Sequence, residues 1–311
     1  MKIKLITKWI SLLVLTLAFC VGCTKDPFDD VVSNEKSIEE VSLGNGLVQV
    51  GPAVVDRTAG TVTVKVLMEQ DTDLSNVSPQ IQASYKASIS PASGEPINFA
   101  ANNNIATYTV TSESGQSREW TIELVPFTET LLGTYDIQGL VLYGGTGPEY
   151  GGAAVMNLTD KPWVWPATDG PEAELDNVLT FEFTGTTDDG STYGTITNDA
   201  GADGMYADFL FIGNPQTDVN SFYRKIPKGV GTWTRNYSAN TVTFTFSDNT
   251  TATASFVEPG TISLGNSNTK TVTDNSFEFT LNGTDDWNNI YSDYDKIVKK
   301  PRKYWIDVKK R

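Results

Sequence analysis

Trp163 and Trp165 stand two residues apart, with Pro162 and Pro166 outside them. On an extended segment, side chains two apart point the same way, spaced about 7 Å. The prolines push such a segment to an edge or a loop, where ring faces meet solvent. Two indole faces at that spacing suit the apolar C–H faces of sugar rings, and nearby Asp, Asn and Gln would take the hydroxyls. The competing expectation is that the rings fill a core, since tryptophan is seldom left bare. Tyr143, Tyr150, Tyr223, Trp233 and Tyr237 lie in stretches punctuated by Gly or Pro. Loops that carry aromatics on a rigid scaffold are common recognition surfaces. Trp163, Trp165, Tyr143, Tyr223 and Trp233 are therefore the candidate glycan contacts, each with a core position as its alternative.

Other chemistries are narrowed by composition. The 311 residues include no histidine and two cysteines, Cys20 and Cys23. That excludes Ser-His-Asp triads and His or Cys zinc sites, and, once a leader ending before Cys23 is removed, disulfides and thiol nucleophiles. Glycan hydrolysis needs only two carboxylates, and 38 acidic residues leave it open. The string Glu174-Leu175-Asp176-Asn177-Val178-Leu179 resembles the start of the active-site strand of laminarinase-type glycoside hydrolases of family 16. That family has a second Glu where Leu179 stands, so the general acid would be missing, and an acidic loop leading into a strand is the plainer reading. No catalytic residue is assigned, and no cofactor. Asp188-Asp189-Gly190 and the stretch Asn198-Asp199 to Asp203-Gly204 offer oxygen ligands for calcium without the ladder of an EF-hand loop, and Asx turns explain both without metal.

The N-terminus carries its own signal. Lys2, Lys4 and Lys8 precede an apolar run from Ile10 to Phe19, and Cys20-Val21-Gly22-Cys23 closes it. The run is too short to span a bilayer and reads as a cleaved leader, residues 1–22. Small Gly22 before Cys23 resembles the lipobox of bacterial lipoproteins, with Cys20 in place of the usual Leu, which makes Cys23 the expected lipidation site. The acidic stretch Asp26-Pro27-Phe28-Asp29-Asp30 is similar to the surface-export signal of Bacteroidetes lipoproteins, interrupted by Pro27-Phe28. Residues 23–36 then form a lipidated tether.

Net charge is −15, and about −18 once the leader's three lysines are gone. Residues 23–294 hold 12 basic and 36 acidic side chains, and eight basic residues crowd the last sixteen positions. Such a body repels phosphate backbones and anionic polymers, which argues against nucleic acid as a partner.

The elements that must position the aromatics are strands. Val62, Val64 and Val66 alternate with polar residues, as do Trp120, Ile122 and Leu124. With turn signals at Asn45-Gly46, Ser93-Gly94 and Ser114-Gly115, residues 37–127 are expected to form an immunoglobulin-like β-sandwich with Trp120 in its core. Leu179/Phe181/Phe183, Val242/Phe244/Phe246 and Phe277/Phe279/Leu281 mark strands of a larger unit, residues 131–311, punctuated by Asp-Gly and Asn-Gly turns. An antiparallel β-sandwich or jelly roll is expected there, with a closed lipocalin-like barrel as the alternative. The spacing of Ile290, Tyr294 and Ile297 predicts one helix from about Trp287 to Lys299, ended by Pro301. Tyr304, Ile306 and Val308 predict a last strand with Trp305 on its opposite face.

The run from Val62, Ser90-Pro91-Ala92-Ser93-Gly94, and the stretch from Tyr108 to Gly115 with Trp120-Thr121-Ile122 resemble the small cadherin- or immunoglobulin-like domains of Bacteroidetes surface lipoproteins. That resemblance implies a spacer. Leader, spacer and aromatic-rich second unit together resemble the SusE- and SusF-like surface glycan-binding lipoproteins of polysaccharide-utilisation systems. This implies an outer-membrane lipoprotein, exposed on the cell surface, that binds a neutral glycan without catalysis beside SusC/SusD-like outer-membrane proteins. A two-carboxylate glycoside hydrolase, a lipocalin-like carrier of a small ligand and a structural adhesin are the alternatives.

Overall fold

In the computed structural model, residues 32–311 are described apart from residue 45 and residues 69–71. The leader, Cys23, most of the tether and Asn45 of the expected turn lie outside the described residues.

Alternating valines and threonines do form strands. Seven make the N-terminal unit: β1 (Ile38–Ser42), β2 (Val54–Asp56), β3 (Thr61–Leu67), β4 (Gln80–Ala83), β5 (Ser88–Ser90), β6 (Ile105–Thr111) and β7 (Ser117–Phe127). They assemble as a five-stranded sheet in the order β2-β3-β7-β6-β5 and a β1-β4 pair. β3 and β7 run parallel. The inward faces of both sheets share one core, which includes Ile38, Val41, Val62, Val64, Ile81, Tyr108, Trp120 and Ile122. Trp120 is wholly buried, as expected, and its indole N–H donates to the Lys36 carbonyl at 2.9 Å. Ser33 is held as well, its N–H donating to Glu113 at 2.9 Å while its carbonyl accepts from Ser114. The last residues of the expected tether therefore lie against the β6–β7 turn.

Thirteen strands follow: β8 (Gly133–Gly144), β9 (Ala154–Asn157), β10 (Val178–Thr186), β11 (Thr192–Asp199), β12 (Leu210–Phe211), β13 (Thr217–Asp218), β14 (Gly229–Asn236), β15 (Thr241–Thr245), β16 (Thr251–Val257), β17 (Gly260–Gly265), β18 (Asn268–Val272), β19 (Asn275–Thr280) and β20 (Pro301–Lys310). Eight of them pair in the order β8-β10-β11-β14-β15-β16-β19-β20, and β20 pairs back onto β8. All these pairings are antiparallel and join strands that follow one another in the meander, so this unit is a closed up-and-down barrel. Of the two architectures left open by the sequence, the closed barrel forms; a jelly roll would require Greek-key crossovers. Closure rests on β8, whose first residues pair with β10 on one side and with β20 on the other. Irregularities of register in β10 and β20 bend the sheet towards closure.

Side chains fill the barrel. Phe181, Phe244 and Phe277 are in mutual ring contact at 5.3–6.3 Å, and Tyr135, Trp233 and Phe256 join them. A small eight-stranded barrel has room for such side chains or for one small ligand, and here the rings take the space. This removes the basis for a lipocalin-like carrier.

The expected C-terminal helix shrinks. Tyr291 has φ +81°, a left-handed conformation that a right-handed helix of L-residues does not tolerate. Helical backbone forms only over residues 293–299, most of it a π-helical turn, Asp295–Lys299, and the Lys300 N–H donates to the Asp295 carbonyl at 2.7 Å. β20 follows as expected, and Trp305 faces outward beneath a cover. Together with Tyr143, Val141 and Ala153 it packs against Ile262 and Leu264 of the β17–β18 hairpin. Part of the basic crowding near the C-terminus is neutralised by acids from elsewhere in the barrel: Lys303 pairs with Glu278, Lys300 with Asp285 at 3.0 Å, and Arg311 with Asp136 at 2.7 Å.

A buried charge locks the linker to the barrel. Glu129 accepts from the Leu131 N–H at 2.9 Å, from the Tyr237 hydroxyl at 2.7 Å and from Thr192, and lies 3.4 Å from Arg235. The Arg235 guanidinium also sits 4.4 Å from the Tyr237 ring centroid, and Tyr237 meets Phe127 edge-on. At the same end the Thr186 hydroxyl donates to the Gln49 carbonyl at 3.0 Å. The N-terminal sandwich thus meets one end of the barrel. The connections after β8, β11, β15 and β19 emerge at the other.

Candidate functional site

That far end combines long connections with exposed rings. Residues 145–177, 200–228 and 281–300 cross it, and Tyr150, Trp163, Trp287 and Tyr291 are exposed there. The five candidate aromatics do not gather into one platform. Pro162–Val164 is a short 3-10 turn, not an extended segment, so the two indoles leave the chain in different directions. Trp163 is 63% exposed, whereas Trp165 is 2% exposed.

Trp165 belongs to the layer that closes the barrel end. Its ring meets Phe209, Phe211 and Tyr223 edge-on at 6.2–6.4 Å, and its indole N–H donates to the Leu158 carbonyl at 2.9 Å. Tyr223 is buried in the same layer and its hydroxyl donates to the Ile297 carbonyl at 2.6 Å. Burial pushes the Tyr223 phenol well above its usual range, with the Tyr304 phenol adding to the shift. Trp233 is inside the barrel, its N–H shared between the carbonyls of Glu182 and Thr195. Tyr143 lies under the β17–β18 hairpin. Trp165, Tyr143, Tyr223 and Trp233 are all core residues; Tyr143, Tyr223 and Trp233 present no ring to a ligand, and the little of Trp165 that is exposed lies in the wall of an open cavity. The reason is common to all four: each polar edge finds a backbone partner or a cover, and the large apolar face is stabilised by burial.

Trp163 remains a surface ring. The Lys161 ammonium lies 5.1 Å from its centroid and 3.1 Å from Asp293, so this segment is tied to the last connection of the barrel. Pro162, Trp165 and Pro166, chain neighbours of Trp163, together with Pro171 wall an open cavity of about 350 Å³. Thr159, Thr168, Glu172 and Asp203 supply its polar groups. Apolar walls with a few convergent oxygens are what a small polyhydroxylated ring requires. Composition gave no pointer to Glu172, and it singled out Asp203 only as an oxygen ligand for calcium, because nothing in the chain shows that these two acids share a cavity before the loops are folded together.

The carboxylates of the hydrolase-like string are structural. Glu174 is buried, 2.7 Å from Arg224, and accepts from the Ala207 N–H at 2.8 Å and from Asn177 at 3.1 Å. Asp176 accepts from the backbone N–H groups of Ala202 and Asp203. Both acids hold loops, and neither is poised beside the other over a cleft. The acids considered for calcium behave alike: Asp189 accepts from Ser191, Asp199 from Gly201, and Asp203 from Met205, each two residues on. Side-chain hydrogen bonds from Thr187, with further bonds from Ser191, hold the Asp189 carboxyl below its usual range. These are Asx turns.

Comparison with known proteins places a family likeness on the N-terminal unit. The family model described as SGBP, N-terminal, the N-terminal part of surface glycan-binding proteins, matches residues 44–124. Among curated proteins nothing matches the chain. Three solved structures are similar in part. One from Bacteroides fragilis, described as a secreted protein, is 16% identical over 30% of this chain and 95% of its own, with a TM-score of 0.24. One from Bacteroides thetaiotaomicron, described as a glycoside hydrolase, is 11% identical over 93% of this chain and 85% of its own, with a TM-score of 0.27. A third, from Bacteroides ovatus and of unknown function, is 10% identical over 88% of this chain and 93% of its own, with a TM-score of 0.16. Scores this low bear neither on fold nor on activity.

Proposed function

We propose that this chain is a non-catalytic, surface-displayed binder of a neutral glycan. The observation that carries the reading is the match of residues 44–124 to the N-terminal part of surface glycan-binding proteins. In this reading the N-terminal sandwich is a spacer and the far end of the barrel is the contact surface, through Trp163 and the proline-walled cavity beside it. The acidic body favours an uncharged polymer, because an anionic one would be repelled along its length. Cys23 carries the lipid, which anchors the chain to the outer membrane with the sandwich nearest the bilayer and the barrel loops outermost. SusC/SusD-like outer-membrane proteins are the expected neighbours.

The Lys161–Asp293 pair supports a pre-set Trp163 surface, since a ring held in place loses less freedom on binding. A stacked sugar gains on the order of 1 kcal/mol from such a ring. Two measurements test the reading. The purified full chain should be retarded in native gels containing neutral polysaccharides and release no reducing ends; released product would replace binding with hydrolysis. Cys23→Ala should free the chain from membranes, and unchanged membrane attachment would overturn the anchor.

A further inference from the structure

Three exposed rings at the far end have not been accounted for by packing or by the cavity. Tyr150, Trp287 and Tyr291 are 65%, 55% and 59% exposed. They come from two connections, the one after β8 and the one after β19, yet they form one group. Tyr150 and Trp287 meet edge-on at 6.1 Å, and the Tyr291 hydroxyl donates to the Tyr150 carbonyl at 3.2 Å.

The backbone beneath them is rigidly built. Asp295 is wholly buried, and its two carboxylate oxygens accept from the N–H and the hydroxyl of Thr146, each at 2.7 Å. The Thr146 hydroxyl oxygen accepts in turn from the Asp286 N–H at 2.7 Å. One carboxylate therefore ties both connections together directly under the rings. Gly147 lies against them: a Cβ there would meet Trp287, Tyr150 and Ile290, each at 3.1 Å. Gly152 has no room for a side chain at all, because its Cβ would fall 1.9 Å from the Thr146 carbonyl. Tyr291 is held at φ +81°, a conformation that costs a non-glycine residue free energy and persists where surroundings impose it. Large apolar side chains presented to water on a strained, braced backbone mark an interaction site.

We propose that Tyr150, Trp287 and Tyr291 form a second sugar-binding surface, apart from the Trp163 cavity, that stacks on the pyranose rings of a neutral glycan. The proposal rests on the glycan-binding reading above. A stable protein interface takes about 20–30 residues a side, whereas three rings bordered by Glu149, by Asp286 with its donor Asn289, and by the Lys161–Asp293 pair match a short glycan segment. The ring faces suit C–H surfaces, and the carboxylates and amide suit hydroxyls. Two sugar-binding surfaces on one barrel end would engage one polymer at two points and raise its apparent affinity without new contacts.

The test uses the purified full chain in native gels cast with starch, laminarin, xyloglucan or galactomannan, with melting temperatures measured alongside. The Tyr150→Ala, Trp287→Ala double variant should lose roughly ten- to a hundredfold in affinity for the polysaccharide that retards the parent. Tyr291→Gly removes a ring and relieves the backbone, so it should lose severalfold in affinity at equal or higher melting temperature. That single variant carries the test if the double variant does not fold. A parent that is retarded together with equally retarded variants overturns this second surface and leaves the glycan reading standing. A parent retarded by none of the four overturns both, and binding of phosphatidylcholine vesicles that depends on Trp287 would then make the rings a membrane contact instead.

Discussion

Replacing Trp165 and Trp163 separately by Ala should give two very different proteins. Trp165 is 2% exposed, touches Phe209, Phe211 and Tyr223, and satisfies the Leu158 carbonyl. Truncating a buried tryptophan costs about 3–5 kcal/mol through lost transfer energy and the cavity left behind. The orphaned Leu158 carbonyl adds about 1–3 kcal/mol unless water reaches it, so the cost belongs in the upper part of that range. Trp163 is 63% exposed, and its ring faces Lys161 at 5.1 Å, a contact worth about 0.5–1 kcal/mol at the surface. For a unit the size of this barrel, 1 kcal/mol moves Tm by roughly 2–4 °C. Trp165→Ala should therefore lower the barrel's melting temperature by at least about 8 °C and Trp163→Ala by no more than about 4 °C. Trp165→Phe keeps a ring but loses the N–H donor, and should fall between them. The assay is thermal unfolding followed by near-ultraviolet circular dichroism, which reports the packing of these aromatics. Similar shifts for the two Ala variants, or a Trp165→Ala protein that melts like the parent, would refute the assignment of Trp165 to the core.

Other expectations follow from buried groups. Glu129→Ala leaves Arg235 buried without its carboxylate and should cost about 3–5 kcal/mol, while Glu129→Met with Arg235→Met should recover much of it; urea unfolding measures both, and a coupling near zero in that cycle would sink the lock. Burial raises the phenols of Tyr108 and Tyr135 to about 12 and those of Tyr223 and Tyr304 well above the usual range. An unfolded tyrosine ionises near pH 10. Above that pH the unfolded chain has released protons that the folded chain keeps, so stability falls as pH rises, by up to about 1.4 kcal/mol per pH unit for each such phenol. An unchanged urea midpoint between about pH 9 and about pH 11 would contradict this. Gly144→Ala would place a Cβ 2.2 Å from the Lys296 carbonyl; it should destabilise the barrel by more than about 2 kcal/mol, checked by the same urea curve.

Much of the strand content was legible because period-two alternation is local. Val62, Val64 and Val66, or Phe277 and Phe279, announce a buried face whatever lies opposite. The predicted helix was not realised over most of its length because its apolar spacing is also satisfied by a loop that turns at Tyr291 and feeds Ile297 and Val298 into the barrel end. Trp287, counted there as the start of a helix, is instead an exposed ring. The Trp163/Trp165 spacing failed for a related reason: a rule for extended backbone does not apply to the 3-10 turn that Pro162 begins.

Composition and local pattern by themselves determined that this chain is all-β, that it carries no histidine chemistry, that its body is acidic and that Trp120 and Trp305 lie on particular faces of their strands. Those properties depend on residue type and on neighbours two positions away. Closure into a barrel was decided only in three dimensions, because inside/outside alternation is the same in a sandwich and a barrel. What distinguishes them is whether β8 pairs with both β10 and β20. The division of the aromatics into core and surface was likewise tertiary: Trp165 is buried because Phe209, Phe211 and Tyr223 arrive from a connection more than forty residues on. Tyr150 and Trp287, far apart in the chain, meet because Asp295 binds Thr146 beneath them.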